Sequence, residues 1–227
     1  VQLDTVKRVI EKFLPRTGAV HLVAPRTAWL KDGRRTVIRG ARVTDGPAIQ
    51  AFVRRLSIRS RRNRFFSPIS ELSREQIERI TCSLPCDGLA LVCEAVVAGE
   101  SRIVAVAQYV IGEPLEAEFA LVVDDAYQRQ GLGNEMMGLL AEHAARAGLT
   151  AFVGLVLPDN WPMLGLLSRL GCELEADADP GVVRAIKRFD AHEGVRSRSI
   201  EAPRSVAPQV PVPPRDHRMQ HAESFVY

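Results

Sequence analysis

Residues 119–134 constrain the architecture of this chain more than any other stretch. An apolar strand-like run, Phe119-Ala120-Leu121-Val122-Val123, leads into Tyr127-Gln128-Arg129-Gln130-Gly131-Leu132-Gly133-Asn134, and a helix-like run follows from Leu132 to Ala147. A strand, a glycine loop and a helix start turn backbone N–H groups toward one point, which suits a phosphate. Gly131 and Gly133 can take positive φ and let a ligand approach the backbone. The unpaired N–H groups of the first helical turn face the same space. Gln128 and Arg129 add a donor and a charge matched to pyrophosphate. Two other phosphate loops do not fit. A dinucleotide fingerprint needs a third glycine where Met136 stands, and a nucleotide P-loop needs Gly-Lys-Ser/Thr, with no lysine nearby. The plain alternative is a strand-to-helix turn that uses glycine for geometry alone.

At 227 residues and 46% hydrophobic content, the chain can bury one sizeable core and a small annex. Its net charge of +3 is too small to point to a nucleic acid. The longest apolar run, Leu89–Ala98, is interrupted by Glu94 and is too short to span a bilayer. Asp4, Lys7, Arg8, Glu11 and Lys12 leave no room for a signal-peptide core. A soluble cytoplasmic protein with no membrane partner is the expectation. Cys82 and Cys86 have no second pair of ligands to complete a zinc site, so no metal is expected and the thiols read as reduced. Cys93 and Cys172 lie in apolar runs and read as core.

Residues 1–35 read as an N-terminal extension, with Val6, Val9, Ile10, Phe13 and Leu14 at helical spacing before Pro15. A compact domain is expected over 36–190. It opens with a short strand holding Val37, Ile38 and Val43, then a helix capped by Thr44 or Asp45 with Pro47 in its first turn. Ser73-x-x-Gln76 is a capping box for a second helix. Leu89–Ala98 and Arg102–Ile111 form a hairpin about Gly99-Glu100-Ser101, and Glu116–Val123 follows the turn at Gly112-Glu113-Pro114. After the glycine loop and its helix, Ala151–Leu157 is a strand. Asn160 caps a helix ending at Gly171, and Cys172–Ala176 and Val182–Phe189 are closing strands. Residues 191–227 are rich in Pro, Ser, Arg and Gln and read as a disordered tail.

The motif Gln128-x-x-Gly131-x-Gly133 resembles the acetyl-coenzyme-A loop of the GCN5-related N-acetyltransferases (GNAT). Leu157-Pro158-Asp159-Asn160-x-x-Met163-Leu164, leading to Arg169-Leu170-Gly171, resembles that family's second cofactor block. The segments around Ala48–Ser57, Arg64–Pro68 and Glu71–Ser73, with Ala117-Glu118-Phe119-Ala120, look like the Pat-type protein lysine acetyltransferases of bacteria. The resemblance covers roughly residues 36–189. It implies an α/β (α+β) fold: a mixed, mostly antiparallel sheet of six to seven strands, flanked by helices and splayed at a parallel pair where the cofactor sits.

The resemblance implies an acetyl-CoA-dependent N-acetyltransferase, acting on lysines of proteins such as acyl-CoA synthetases. The runner-up is a small-molecule amine acetyltransferase, and a silent acyl-CoA sensor is the reading from another class. Cofactor contacts are implied for Leu121, Val122, Val123, Gln128, Arg129, Gln130, Gly131, Leu132, Gly133, Asn134 and Asn160. A free lysine has a pKa of about 10.4 and must lose a proton to attack. Glu118 matches the family's general base, with Glu116 as understudy two residues earlier on the same face. Many relatives carry a Tyr as general acid where this chain has Leu167, so that role stays unassigned. Arg54, Arg55, Arg59, Arg61, Arg62 and Arg64 read as a solvated helix face with some structural ion pairs.

Overall fold

The computed structural model describes residues 23–67, 69–81, 88–112, 115–177 and 181–189. The described residues form eight strands: β1 (Arg26–Trp29), β2 (Arg35–Gly40), β3 (Gly88–Val97), β4 (Glu100–Ile111), β5 (Glu116–Val123), β6 (Ala151–Val156), β7 (Glu173–Ala176) and β8 (Val183–Arg188). They form one sheet in the order β1-β2-β3-β4-β5-β6-β8-β7. Every neighbouring pair is antiparallel except β5 and β6, which run parallel. The helices are α1 (Gly46–Arg55), α2 (Ile58–Phe65), α3 (Arg74–Thr81), α4 (Leu132–Arg146) and α5 (Trp161–Arg169).

Both faces of the sheet are covered over β3 to β6, so these strands carry long apolar stretches. On one face Leu132, Met136, Leu140 and Ala144 of α4 and Leu166 and Leu167 of α5 pack on Leu91, Ala107, Tyr109, Phe119 and Phe152. On the other, Ile49, Phe52 and Val53 of α1 and Ile80 of α3 pack on Val92, Ile103, Val106 and Val122. Caps fix the helix starts. Ser73 and Gln76 exchange both bonds of a capping box, at 2.8 and 3.2 Å, and Asn160 accepts from the Met163 N–H.

The sheet has one strand more than expected, and the extra strand comes from the supposed extension. β1 pairs with β2 from Arg26↔Ile38 to Trp29↔Arg35, so the boundary expected at 35/36 falls inside a hairpin. β1 is a four-residue edge strand with only Ala28 buried, and its sequence therefore carries no alternation. Residues 1–22 of the extension, the tail 191–227 with residue 190 before it, Cys82 and Cys86 lie outside the described residues. Val43 is not in a strand: it sits exposed in a 3₁₀ turn, Val43–Asp45, ahead of α1. Asp45 does not cap α1 through its side chain, because its carboxylate is drawn to Arg39 at 2.7 and 2.9 Å. The β3–β4 turn is centred at Ala98-Gly99, both at positive φ, one residue before the expected position. α2 was not foreseen as a separate helix. It has no apolar stripe, and Ser57 caps it by accepting the Ser60 N–H.

No helix among the described residues is long and apolar enough to cross a membrane.

Candidate active site

The site grows out of a sheet that opens. β5 and β6 are paired at Glu116↔Ala151, Ala117↔Phe152 and Glu118↔Val153, and beyond that point they diverge. The backbone alternation fixes which groups are left over. The Asp124 N–H bonds Val104 and the Gly112 N–H bonds Glu116, so even-numbered residues of β5 face β4. The Thr150 N–H bonds the Leu115 carbonyl, so odd-numbered ones face β6. Past the split, the amides of Leu121 and Val123 thus aim into the gap, while that of Val122 is used by β4. Gly154 is the first residue of β6 beyond its pairing with β5, and a Cβ there would lie 2.5 Å from the Phe119 ring. Phe119 fills that space and faces β6 as the strands part.

The chain then makes a 3₁₀ turn at Asp125–Tyr127 and enters the glycine loop. Gly131 has φ +93 and serves as the N-cap of α4. The first helical bond is the Glu135 N–H to Gly131, at 3.2 Å. The N–H groups of Leu132, Gly133 and Asn134 are therefore the orphan donors of the helix start. Gly133 is not at positive φ. Its constraint is space, since a Cβ would meet Leu166 and Leu121 at 3.2 and 3.3 Å.

The loop is braced from both sides. Asp125 accepts from the Ser57 N–H, the Ser57 hydroxyl and the Ser60 hydroxyl at 2.7–2.9 Å. Burial alone would raise the Asp125 carboxyl, but these donors outweigh it and hold the group below its ordinary range. Gln128 turns inward, donating to Ser60 and to the Val123 carbonyl at 3.1 Å. Gln130 accepts the Asp32 N–H at 3.2 Å. Of the polar side chains expected to hold pyrophosphate, Arg129 is the one with no protein partner among the described residues.

These pieces enclose an open cleft of about 1320 Å³. Leu121, Val122, Val123, the run Gln128–Asn134 and Asn160 all line it, so the structure brings together every residue expected for the cofactor. The orphan N–H groups, Arg129 and the free amides of β5 fit a pyrophosphate followed by an extended amide chain. Glu118 is not among the lining residues. It is exposed on the last zipped pair of β5 and β6, with no hydrogen bond or ion pair among the described residues. Arg64 of α2 feels its charge: burial pulls the Arg64 guanidinium down to about 10, and Glu118 opposes the shift. At neutral pH Arg64 stays charged. Glu116 is half-buried two pairs back. Leu167, where many relatives place a Tyr, is fully buried in the core and offers no proton.

The arginine cluster divides. Arg54 pairs with Glu71 and Arg62 with Asp159, at 2.8 and 2.7 Å, and Arg55 donates to the Ile103 carbonyl. Arg59 and Arg64 line the cleft instead. Sequence reasoning missed this lining, and also that of β1 with Leu30 and Lys31 after it, and of Arg169 on α5. Gly154, a lone glycine in a strand, was a readable sign of close approach.

The model of the acetyltransferase (GNAT) family matches residues 56–172. An acetyltransferase of Pseudomonas aeruginosa is 30% identical over 151 residues, covering 66% of this chain and 81% of that protein. The GNAT domain of S. lividans PAT superposes with a TM-score of 0.67 at 28% identity, covering 73% of this chain and 97% of that domain. A Salmonella typhimurium protein solved with its cofactor acetyl-CoA shares the fold, with a TM-score of 0.54 at 18% identity over 69% of this chain and 95% of that one.

Proposed function

We propose that this chain, which belongs to the acetyltransferase (GNAT) family, acetylates lysine side chains of proteins and uses Glu118 to take the lysine's proton. That it is an acetyl-CoA-dependent N-acetyltransferase follows from the family; the acceptor and the residue roles are our reading. The cofactor supplies an acetyl group activated as a thioester. Arg129 and the N–H groups of Leu132, Gly133 and Asn134 would hold its pyrophosphate. Leu121 and Val123 would pair with the pantetheine amides like an added strand. An amide of that same stretch would stabilise the carbonyl oxygen as it gains charge. Glu118 lowers the barrier by accepting the ammonium proton, directly or through water, so that the neutral amine attacks. With Leu167 buried, solvent is the proton source for the departing thiolate, which at a pKa of about 8.5 leaves readily.

The observation that carries the acceptor class is what surrounds Glu118. Val110 lies directly opposite it on β4, and Leu155 follows its partner Val153 by two residues on β6, hence on the same face. Both are more than two-fifths exposed. A carboxylate among exposed apolar side chains suits a docking protein surface better than a small polar amine. The test is to incubate the protein with acetyl-CoA and an acyl-CoA synthetase, beside spermidine and free amino acids, and to map products by mass spectrometry. Acetylated protein lysines are expected. Acetylation of free amines alone would favour the small-molecule reading, and cofactor binding with no product would favour the silent sensor.

A further inference from the structure

The β1–β2 hairpin precedes the first residue matched to the family, yet its tip is fixed to the glycine loop. The Lys31 N–H donates to the Gln130 carbonyl at 3.3 Å and the Asp32 N–H to the Gln130 side chain at 3.2 Å. Arg34 donates to the Ala126 carbonyl at 2.9 Å and stacks 4.0 Å above the Tyr127 ring. Two side chains that the hairpin turns to the cleft are left unused by the fold. Lys31 is exposed, with no carboxylate in ion-pair range among the described residues. Trp29 leaves its indole 69% exposed, although burying it would be favourable.

The charge of the cleft points the same way. Arg26, Lys31, Arg59, Arg64, Arg129 and Arg169 line it against only Asp125 and Glu135. Asp125 is committed to Ser57 and Ser60, and Glu135 is paired with Arg26 at 3.6 Å. Arg129 and the helix start suffice for a pyrophosphate. Coenzyme A carries a further phosphate monoester, mostly dianionic at neutral pH, and an adenine with two aromatic faces.

We propose that the β1–β2 hairpin reads the 3′-phosphoadenosine end of the cofactor, Lys31 taking the 3′-phosphate and Trp29 the face of the adenine. This rests on the reading of the 128–134 loop as the pyrophosphate site. Lys31 then makes the site selective for CoA over a cofactor lacking that phosphate, while Trp29 contributes to both alike.

Calorimetry with CoA and with 3′-dephospho-CoA tests it on the full chain. The parent protein should bind CoA at least about tenfold more tightly, the worth of one charge-assisted contact. Lys31→Ala should bring the two ligands within about twofold by weakening CoA alone. Trp29→Ala should weaken both by a similar factor, about tenfold for a lost base stack, and keep their ratio. Both residues are exposed, and an unchanged melting temperature verifies that each variant folds. Equal affinities in the parent, a Lys31→Ala that weakens both ligands equally, or a Trp29→Ala without effect would overturn the proposal. Failure of the parent to bind either ligand would overturn the loop reading itself.

Discussion

A carboxylate that serves as a base should be dispensable for binding and indispensable for rate. Glu118→Gln is expected to lower kcat by roughly 10²–10⁴-fold and to leave acetyl-CoA affinity unchanged by calorimetry. Its residual rate should climb as pH approaches the lysine value of about 10.4, because solvent then supplies neutral amine. Near-normal turnover with the parent's pH profile would remove Glu118 from the mechanism and bring Glu116 forward. Gly133 invites a second test. Its neighbours are the flexible ends of Leu121 and Leu166, so Gly133→Ala should be tolerated with a small loss of stability. Gly133→Glu should abolish acetyl-CoA binding, by calorimetry, in a protein that still folds by circular dichroism. Gly131 was legible in the sequence because a helix start at positive φ demands glycine. The reason for Gly133 was not, since it lies in two leucines brought from elsewhere in the chain.

At the scale of elements, the braces around the loop should govern stability and binding together. Asp125 joins α2 to the loop through three hydrogen bonds. Its folded pKa is depressed, so its contribution is full above the unfolded value of about 3.9 and fades as pH falls through the lower folded value. Asp125→Asn should cost about 1–3 kcal/mol at neutral pH, read as a drop of several degrees in melting temperature. The gap between variant and parent should narrow as pH is lowered below the unfolded value of about 3.9. A gap independent of pH would show that the charge plays no part. Gly154→Ala is expected to destabilise by about 1–3 kcal/mol, because its methyl group overlaps the Phe119 ring. The long strands and the capped helices could be read from pattern alone. β1 and α2 could not: one is an edge strand with a single buried residue, the other a helix whose only buried residue is Ser60. Both are held by partners remote in sequence, which no local period reveals.

At the scale of the whole molecule, the buried pair Arg39 and Asp45, joined by the half-buried Glu94, ties β2, the turn before α1 and β3 together at 2.6–2.7 Å. Asp45→Asn should cost about 1.5–3 kcal/mol by chemical denaturation, because it weakens two charge-assisted hydrogen bonds while Arg39 keeps Glu94 as its acid. The helix-flanked sheet was legible because the family resemblance implies it and the strands and helices follow in that order. The docking of the hairpin on the loop was not, because Asp32 and Gln130 stand 98 residues apart. That distance has a kinetic meaning. Contacts between Asp32 and Gln130, and between Ser57 and Asp125, close long loops and are slow to form. The glycine loop is held at both ends of this span, by Asp32 on Gln130 and by Ser57 on Asp125. During refolding, the ability to bind acetyl-CoA should therefore emerge with the slowest folding phase and never ahead of it, making the ligand a reporter of a finished chain.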